Sequence, residues 1–226
     1  MKRLSLLTVL AVCILLAGTA SASQLAQFTE VNQTNDFMFT DLGTSVTFDA
    51  ASMIFFTFAP GLGTPYDGSP REATLTLTSS SSTPGSDVAG TDTEGGFSGT
   101  FTIMDMMTGA NLLSGTFGPS AAASGTDAGN SATFQDSTPP PIQVQFTSDF
   151  LNFSGVTTEA FGISLSNVLP AITLDSNGFL ESATGVGTGT FSAEPLPTSS
   201  TPEPASGALI GGGLIGLSLL MRKRTA

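Results

Sequence analysis

The chain has 226 residues, with 18 acidic and 6 basic side chains, no His, no Trp, one Cys and 17 Phe. Without His, a Ser-His-Asp triad, a Cys-His pair and a His-bearing zinc site are excluded. A net charge of −12 argues against nucleic acid and anionic membrane surfaces as partners, and the length suits one domain with its own core.

The N-terminus reads as an address. Lys2 and Arg3 are followed by an apolar run from Leu4 to Ala17, then by small residues. Ala20 and Ala22 have the spacing a signal peptidase needs, which predicts a signal peptide over residues 1–22 with cleavage before Ser23. Cys13 leaves with it, so the exported body has no Cys and cannot form a disulfide. From Ser23 to Thr201 there are 17 acidic residues and one basic residue, Arg71. No Lys lies in this stretch, so Schiff-base chemistry is excluded as well.

The body is strand-like along its length. Met53 to Phe58 is apolar on both faces and reads as a central strand, stopped by Pro60-Gly61. Ala73-Thr74-Leu75-Thr76-Leu77-Thr78 alternates apolar and hydroxyl residues with period two, which puts one face on a core and one toward solvent. Phe97, Phe101 and Ile103 share one side of another strand. Ile142 to Phe146 and Phe161 to Leu165 alternate in the same way. Clusters of Gly, Pro, Ser and Asp at residues 61–70, 79–96, 119–130 and 137–141 read as loops. At that length, 79–96 is either a mobile flap or hides a short strand.

Ser98-Gly99-Thr100-Phe101 recurs as Ser114-Gly115-Thr116-Phe117, and Gly189-Thr190-Phe191-Ser192 echoes it. The first two copies flank Thr108-Gly109, which predicts a hairpin. The pattern as a whole predicts an all-β fold, a single β-sandwich-like domain over residues 23–193 with roughly 8 to 11 short strands. A parallel β-helix is the weaker alternative, because it should show a steadier period. Pro195 and Pro197, among Ser and Thr, mark residues 194–201 as a linker.

The tail, residues 202–226, has three parts. Pro202-Glu203-Pro204 comes first, then an uncharged apolar segment over 205–221, then Arg222-Lys223-Arg224. The segment is expected to cross the membrane once as a helix, with the basic cluster on the cytoplasmic side. This tripartite tail resembles the PEP-CTERM protein-sorting domain of Gram-negative bacteria. The resemblance implies export across the inner membrane, recognition and cleavage of the tail by an exosortase, and hosts that also make exopolysaccharide. It implies nothing specific about the passenger.

Only carboxylates and hydroxyls remain for chemistry in the body. Asp149 and Glu159 form a pair of the kind glycosidases use, yet any acidic β-protein offers such pairs, and the chain has one Tyr and no Trp to stack a sugar. No catalytic residue and no cofactor is therefore assigned. Asp175, Asn177 and Glu181, around Asp175-Ser176-Asn177-Gly178, are weak candidates for calcium, and Asp87, Asp92 and Glu94 form a second acidic stretch. The expected function is that of an exported structural or surface- and matrix-associated protein, processed by an exosortase and without catalysis. The alternative is a polysaccharide- or calcium-binding extracellular module. The expected partners are signal peptidase and exosortase during export, exopolysaccharide afterwards, and the inner membrane transiently through the tail.

Overall fold

The structure is a computed structural model that describes residues 23–136 and 144–200. The expected signal peptide, the membrane segment 205–221, and Pro202, Glu203, Pro204, Arg222, Lys223 and Arg224 lie outside the described residues.

Thirteen strands follow in chain order: β1 Ser23–Glu30, β2 Phe37–Asp41, β3 Val46–Phe58, β4 Arg71–Ser81, β5 Ser86–Asp87, β6 Thr91–Asp105, β7 Asn111–Thr126, β8 Ser131–Asp136, β9 Gln145–Thr147, β10 Leu151–Asn152, β11 Thr158–Leu169, β12 Ala183–Glu194 and β13 Thr198–Ser199. The core of the sheet runs β6-β4-β3-β1-β12-β11-β8-β7, and β7 pairs back onto β6. That last pairing closes eight antiparallel strands into a barrel and replaces the expected sandwich. Period-two alternation predicts one buried face in either architecture and is silent on whether a sheet closes on itself. Closure depends on β6 and β7, 15 and 16 residues long, whose register shifts at Glu94/Phe97, Phe97/Gly99 and Ile103/Met104. Such bulges bend and twist a strand.

Two stretches read as loops belong to the wall. Residues 79–96 contain the end of β4, the hairpin strand β5 and the start of β6. Residues 119–126 continue β7, with Ala121 and Ala123 buried. Small side chains hide a strand from a hydrophobicity pattern while still fitting a crowded interior. The strand over Met53 to Phe58 is not covered on both sides: Met53 and Phe55 face outward and are each 40% exposed.

An eight-stranded barrel is just wide enough for side chains to fill, and here Phe fills it. A chain of ring contacts runs from Phe58 and Phe56 through Phe191, Phe101, Phe161 and Phe134 to Phe48 and Phe39. The outer wall carries Thr76 beside Thr102 and Thr78 beside Thr100, itself beside Thr116. This apolar-in, polar-out arrangement is the reverse of a membrane-spanning barrel.

Two positions in the ring are each shared by two short strands, and a buried Glu seals each seam. β1 and β2 both lie between β3 and β12. At their junction Glu30 accepts the amide of Gly187 at 3.0 Å and that of Thr34 at 2.8 Å. β8 and β9 both pair with β7, and beside them Glu159 accepts the amide of Phe146. Each carboxylate satisfies an amide that an interrupted ladder would otherwise strand.

Candidate functional site

β5 and β6 form a two-residue hairpin, with Ala89 and Gly90 at φ 56° and 79° and reciprocal bonds between Val88 and Thr91. Positive φ at both central residues is the geometry that suits the twist of a tight hairpin. It places Asp87 directly opposite Asp92. On the other side of β6, Thr91 and Asp92 pair with Thr126 and Gly125 of β7, which brings Asp127 to the same corner. Carboxylate oxygens of Asp87, Asp92 and Asp127 lie within 4.8 Å of one another. Among the described residues this is the one place where three carboxylates converge so closely.

Asp87 and Asp127 are exposed, whereas Asp92 is buried at 3%. Asp87 accepts the amide of Gly90 at 2.8 Å. Burial, with Asp127 and Asp87 alongside, pushes the Asp92 carboxyl up to about 6. The third member, Asp127, sits in a stretch read as loop, and no local pattern announces its approach to Asp92, which depends on the β6–β7 register. Glu94, grouped with Asp87 and Asp92 in the sequence reading, is engaged elsewhere. One of its oxygens accepts the amide of Leu180 at 2.8 Å, and Oε1 is buried without a partner. Burial raises its pKa against the pull of the Leu180 amide.

The Asp175 turn is spent on itself. Asp175 Oδ1 accepts the amides of Asn177 and Phe179, both at 2.8 Å, and Oδ2 accepts the Asn177 side-chain amide at 3.0 Å. Glu181 accepts the Thr173 hydroxyl at 2.8 Å. The Phe179 amide leads the contacts that hold Asp175 below the ordinary carboxylate range. Asp149 and Glu159 also serve the backbone: Asp149 accepts the amide of Asn111 at 2.8 Å, and Glu159 accepts that of Phe146. Burial pushes Glu159 up to about 7.

At the C-terminal end of the barrel the chain stays attached past β12. Thr198 and Ser199 pair with Asn152 and Leu151. Ser200 donates its amide to Phe150 O and its hydroxyl to Asp149 O, both at 2.8 Å. Part of the stretch read as linker is thus docked. Residues 200–224 match the family model of the PEP-CTERM protein-sorting motif. The chain carries a PEP-CTERM sorting signal. The PEP-CTERM motif marks an exported protein with a C-terminal membrane-anchoring signal, directed to an exosortase. No curated protein and no solved structure matches the chain.

Proposed function

We propose that this barrel is a structural passenger, exported, freed from its sorting tail by an exosortase, and retained as a non-catalytic component of the cell surface or extracellular matrix. The sorting motif at residues 200–224 carries the reading. A barrel interior occupied by Phe rings supports it, because the space an eight-stranded barrel could give a ligand is taken by side chains. The absence of His, Lys and Cys from residues 23–200 leaves carboxylates as the only strong acid-base groups, and Asp105, Asp149, Glu30 and Glu159 are each tied to backbone amides.

Deletion of Pro202 to Pro204 in the native host is the test. The deleted form is expected to stay in the membrane fraction at full length, while the intact form is shortened and reaches the surface or medium. Identical maturation of the two forms would overturn the processing step. An intact form that matures but never leaves the periplasm would overturn the surface role.

Polysaccharide binding is the second reading. The hydroxyl wall made by Thr76, Thr78, Thr100, Thr102 and Thr116 favours it, since it offers uncharged donors and acceptors in cross-strand rows. Co-sedimentation with the host's own exopolysaccharide, lost when Thr78 and Thr100 are both changed to Lys, is its expected signature.

A further inference from the structure

We propose that Glu94 is the proton-dependent latch of a plug, residues 170–182, which closes one end of the barrel in acid and loosens as pH rises. The barrel alone carries this inference, so its failure leaves the sorting reading intact.

The plug is the connection from β11 to β12. It folds back on itself, with Asp175 N donating to Phe179 O at 2.7 Å and Glu181 N to Thr173 O at 2.8 Å. Ile172, Phe179 and Leu180 are buried, and Leu174 packs partly buried against the core. Ile172 lies so close to Gly125 of β7 that a Cβ on that glycine would meet it at 2.9 Å. Three bonds tie the plug to the rim: Gly85 N to Gly178 O at 2.7 Å, Asn177 Nδ2 to Gly43 O at 3.3 Å, and Asp41 N to Ser182 Oγ at 3.0 Å. A fourth is buried, where Leu180 donates its amide to Glu94 Oε2 at 2.8 Å.

Glu94 reaches the plug from β6, just before the register shift toward Phe97. It is fully buried, and its Oε1 has no partner. An ionised carboxylate buried with an unsatisfied oxygen is costly. A carboxylic acid needs only an acceptor for its hydrogen. Ser81 of β4 is the neighbouring hydroxyl. Its single hydrogen goes to Gly95 O at 2.7 Å, and it accepts the Thr83 amide at 3.1 Å. Toward Glu94 it therefore offers a lone pair and no hydrogen.

The charges around Glu94 have one sign. Asp41 at the end of β2 and Asp175 in the plug both oppose a charge on it. Asp92 lies two positions away on β6, with Asp87 of β5 opposite, and Glu181 of the plug is bonded to Thr173. The charged residues of β4, Arg71 and Glu72, begin that strand, whereas Ser81 ends it, and β7 has no charged residue. Arg71 is the one cationic side chain in residues 23–200, and Asp105 holds it at 2.8 Å. Burial accordingly raises Glu94 above its ordinary 4.5. The closed plug binds the proton more tightly than an opened one, in which water reaches the carboxyl. Its stabilisation is complete below 4.5 and is lost as pH rises through the raised value.

The experiment follows amide hydrogen exchange by NMR in the full chain in detergent micelles, between about pH 5 and pH 9, with EDTA present and rates corrected for the intrinsic effect of pH. The opening constant read at Leu180 is expected to rise by up to about tenfold per pH unit and then level off, while β3 and β4 stay protected. In Glu94→Gln the Leu180 amide keeps an acceptor and the side-chain NH₂ faces the Ser81 lone pair, so opening should be flat with pH. Glu159→Gln should keep the wild-type profile at Leu180. Flat opening in the wild type would overturn the latch. So would a pH dependence that persists in Glu94→Gln or vanishes in Glu159→Gln. Side-chain carboxyl ¹³C shifts of the wild type decide the matter if Glu94→Gln fails to fold: titration of Glu94 above 4.5 supports the latch, and titration at or below 4.5 overturns it.

Discussion

Gly189 of β12 sits opposite Phe28 of β1, and no methyl group fits between them. A Cβ on Gly189 would lie 2.1 Å from Cε1 of the Phe28 ring. Gly187 and Phe37 stand in the same relation at 2.2 Å, and Gly115 and Phe101 at 2.3 Å. Glycine here gives up its own side chain so that a neighbouring aromatic ring can occupy the barrel. The Ser-Gly-Thr-Phe repeat acquires a physical meaning from this. Phe101 pairs with Gly115, which yields its side-chain space to that ring, whereas Gly99, opposite Phe117, is hemmed in by Thr78 O and Ser79 of β4.

Gly189→Ala is therefore expected to destabilise the barrel by about 1–3 kcal/mol, as overpacking does. Urea unfolding checks it. Combining Gly189→Ala with Phe28→Leu should recover part of the loss, since the two sites share one volume and are coupled. Strict additivity would show that the strain lies elsewhere.

Asp105 is the anchor of the β6–β7 turn. It is buried, accepts Arg71 through Nε at 2.9 Å and through the terminal nitrogen at 2.8 Å, and also accepts the amides of Met107 and Thr108. Asp105→Asn is expected to cost about 2–4 kcal/mol, because a charged acceptor with several donors is lost. Arg71→Gln should cost less, since the two turn amides keep their acceptor. Against the upward push of burial, Arg71 and these amides hold Asp105 below its ordinary 3.8. Its contribution is present above that value and fades as pH falls through the lowered one. Comparing the acid unfolding curves of Asp105→Asn and wild type tests the assignment. The variant should lose less stability as the solution is acidified.

Glu159 acts with the opposite sign. Burial raises it from 4.5 to about 7, so the folded state binds its proton more tightly than the unfolded chain. The stabilisation is complete below pH 4.5 and is lost as pH rises through about 7. Glu159→Gln keeps an acceptor for the Phe146 amide without the charge. It should gain on wild type by on the order of 2 kcal/mol between pH 5 and pH 8. Parallel stability–pH curves for the two proteins would refute this role.

The clasp of β13 on β10 is short and peripheral. Ser200→Pro removes the amide that reaches Phe150 O. Hydrogen exchange and protease cleavage in residues 195–200 should increase, while the global unfolding midpoint changes by less than about 1 kcal/mol. A large fall in the midpoint would make the clasp part of the core.

Much of this was legible in the sequence. The Thr-Leu-Thr-Leu alternation of Ala73 to Thr78 and the Phe97, Phe101, Ile103 face appear in β4 and β6 as expected, because side-chain direction in a strand follows from local backbone geometry. The Ala-Ser-Gly run ending β7 was not legible, because small residues carry no hydrophobic signal yet line the wall beside large rings. The candidate site divides in the same way. Asp87 and Asp92 are close in sequence and face each other across a tight hairpin, so both stand out on reading. Asp127 reaches them only through the long-range pairing of β6 with β7. Asp175 and Asn177 look like ion ligands in sequence, and the turn they make engages both Asp175 oxygens, one of them with the Asn177 side-chain amide.

The sequence by itself determined the sorting tail, the lack of His, Lys and Cys from the body, and the strand character of that body. Each of these is a property of residue identity or of spacing over a few positions. Tertiary structure alone decided that the sheet closes into a barrel and not a sandwich, that glycines yield to particular phenylalanines, and that three aspartates share one corner. Those outcomes depend on register between strands far apart in the chain, and a local pattern does not encode which distant strand a given edge will meet.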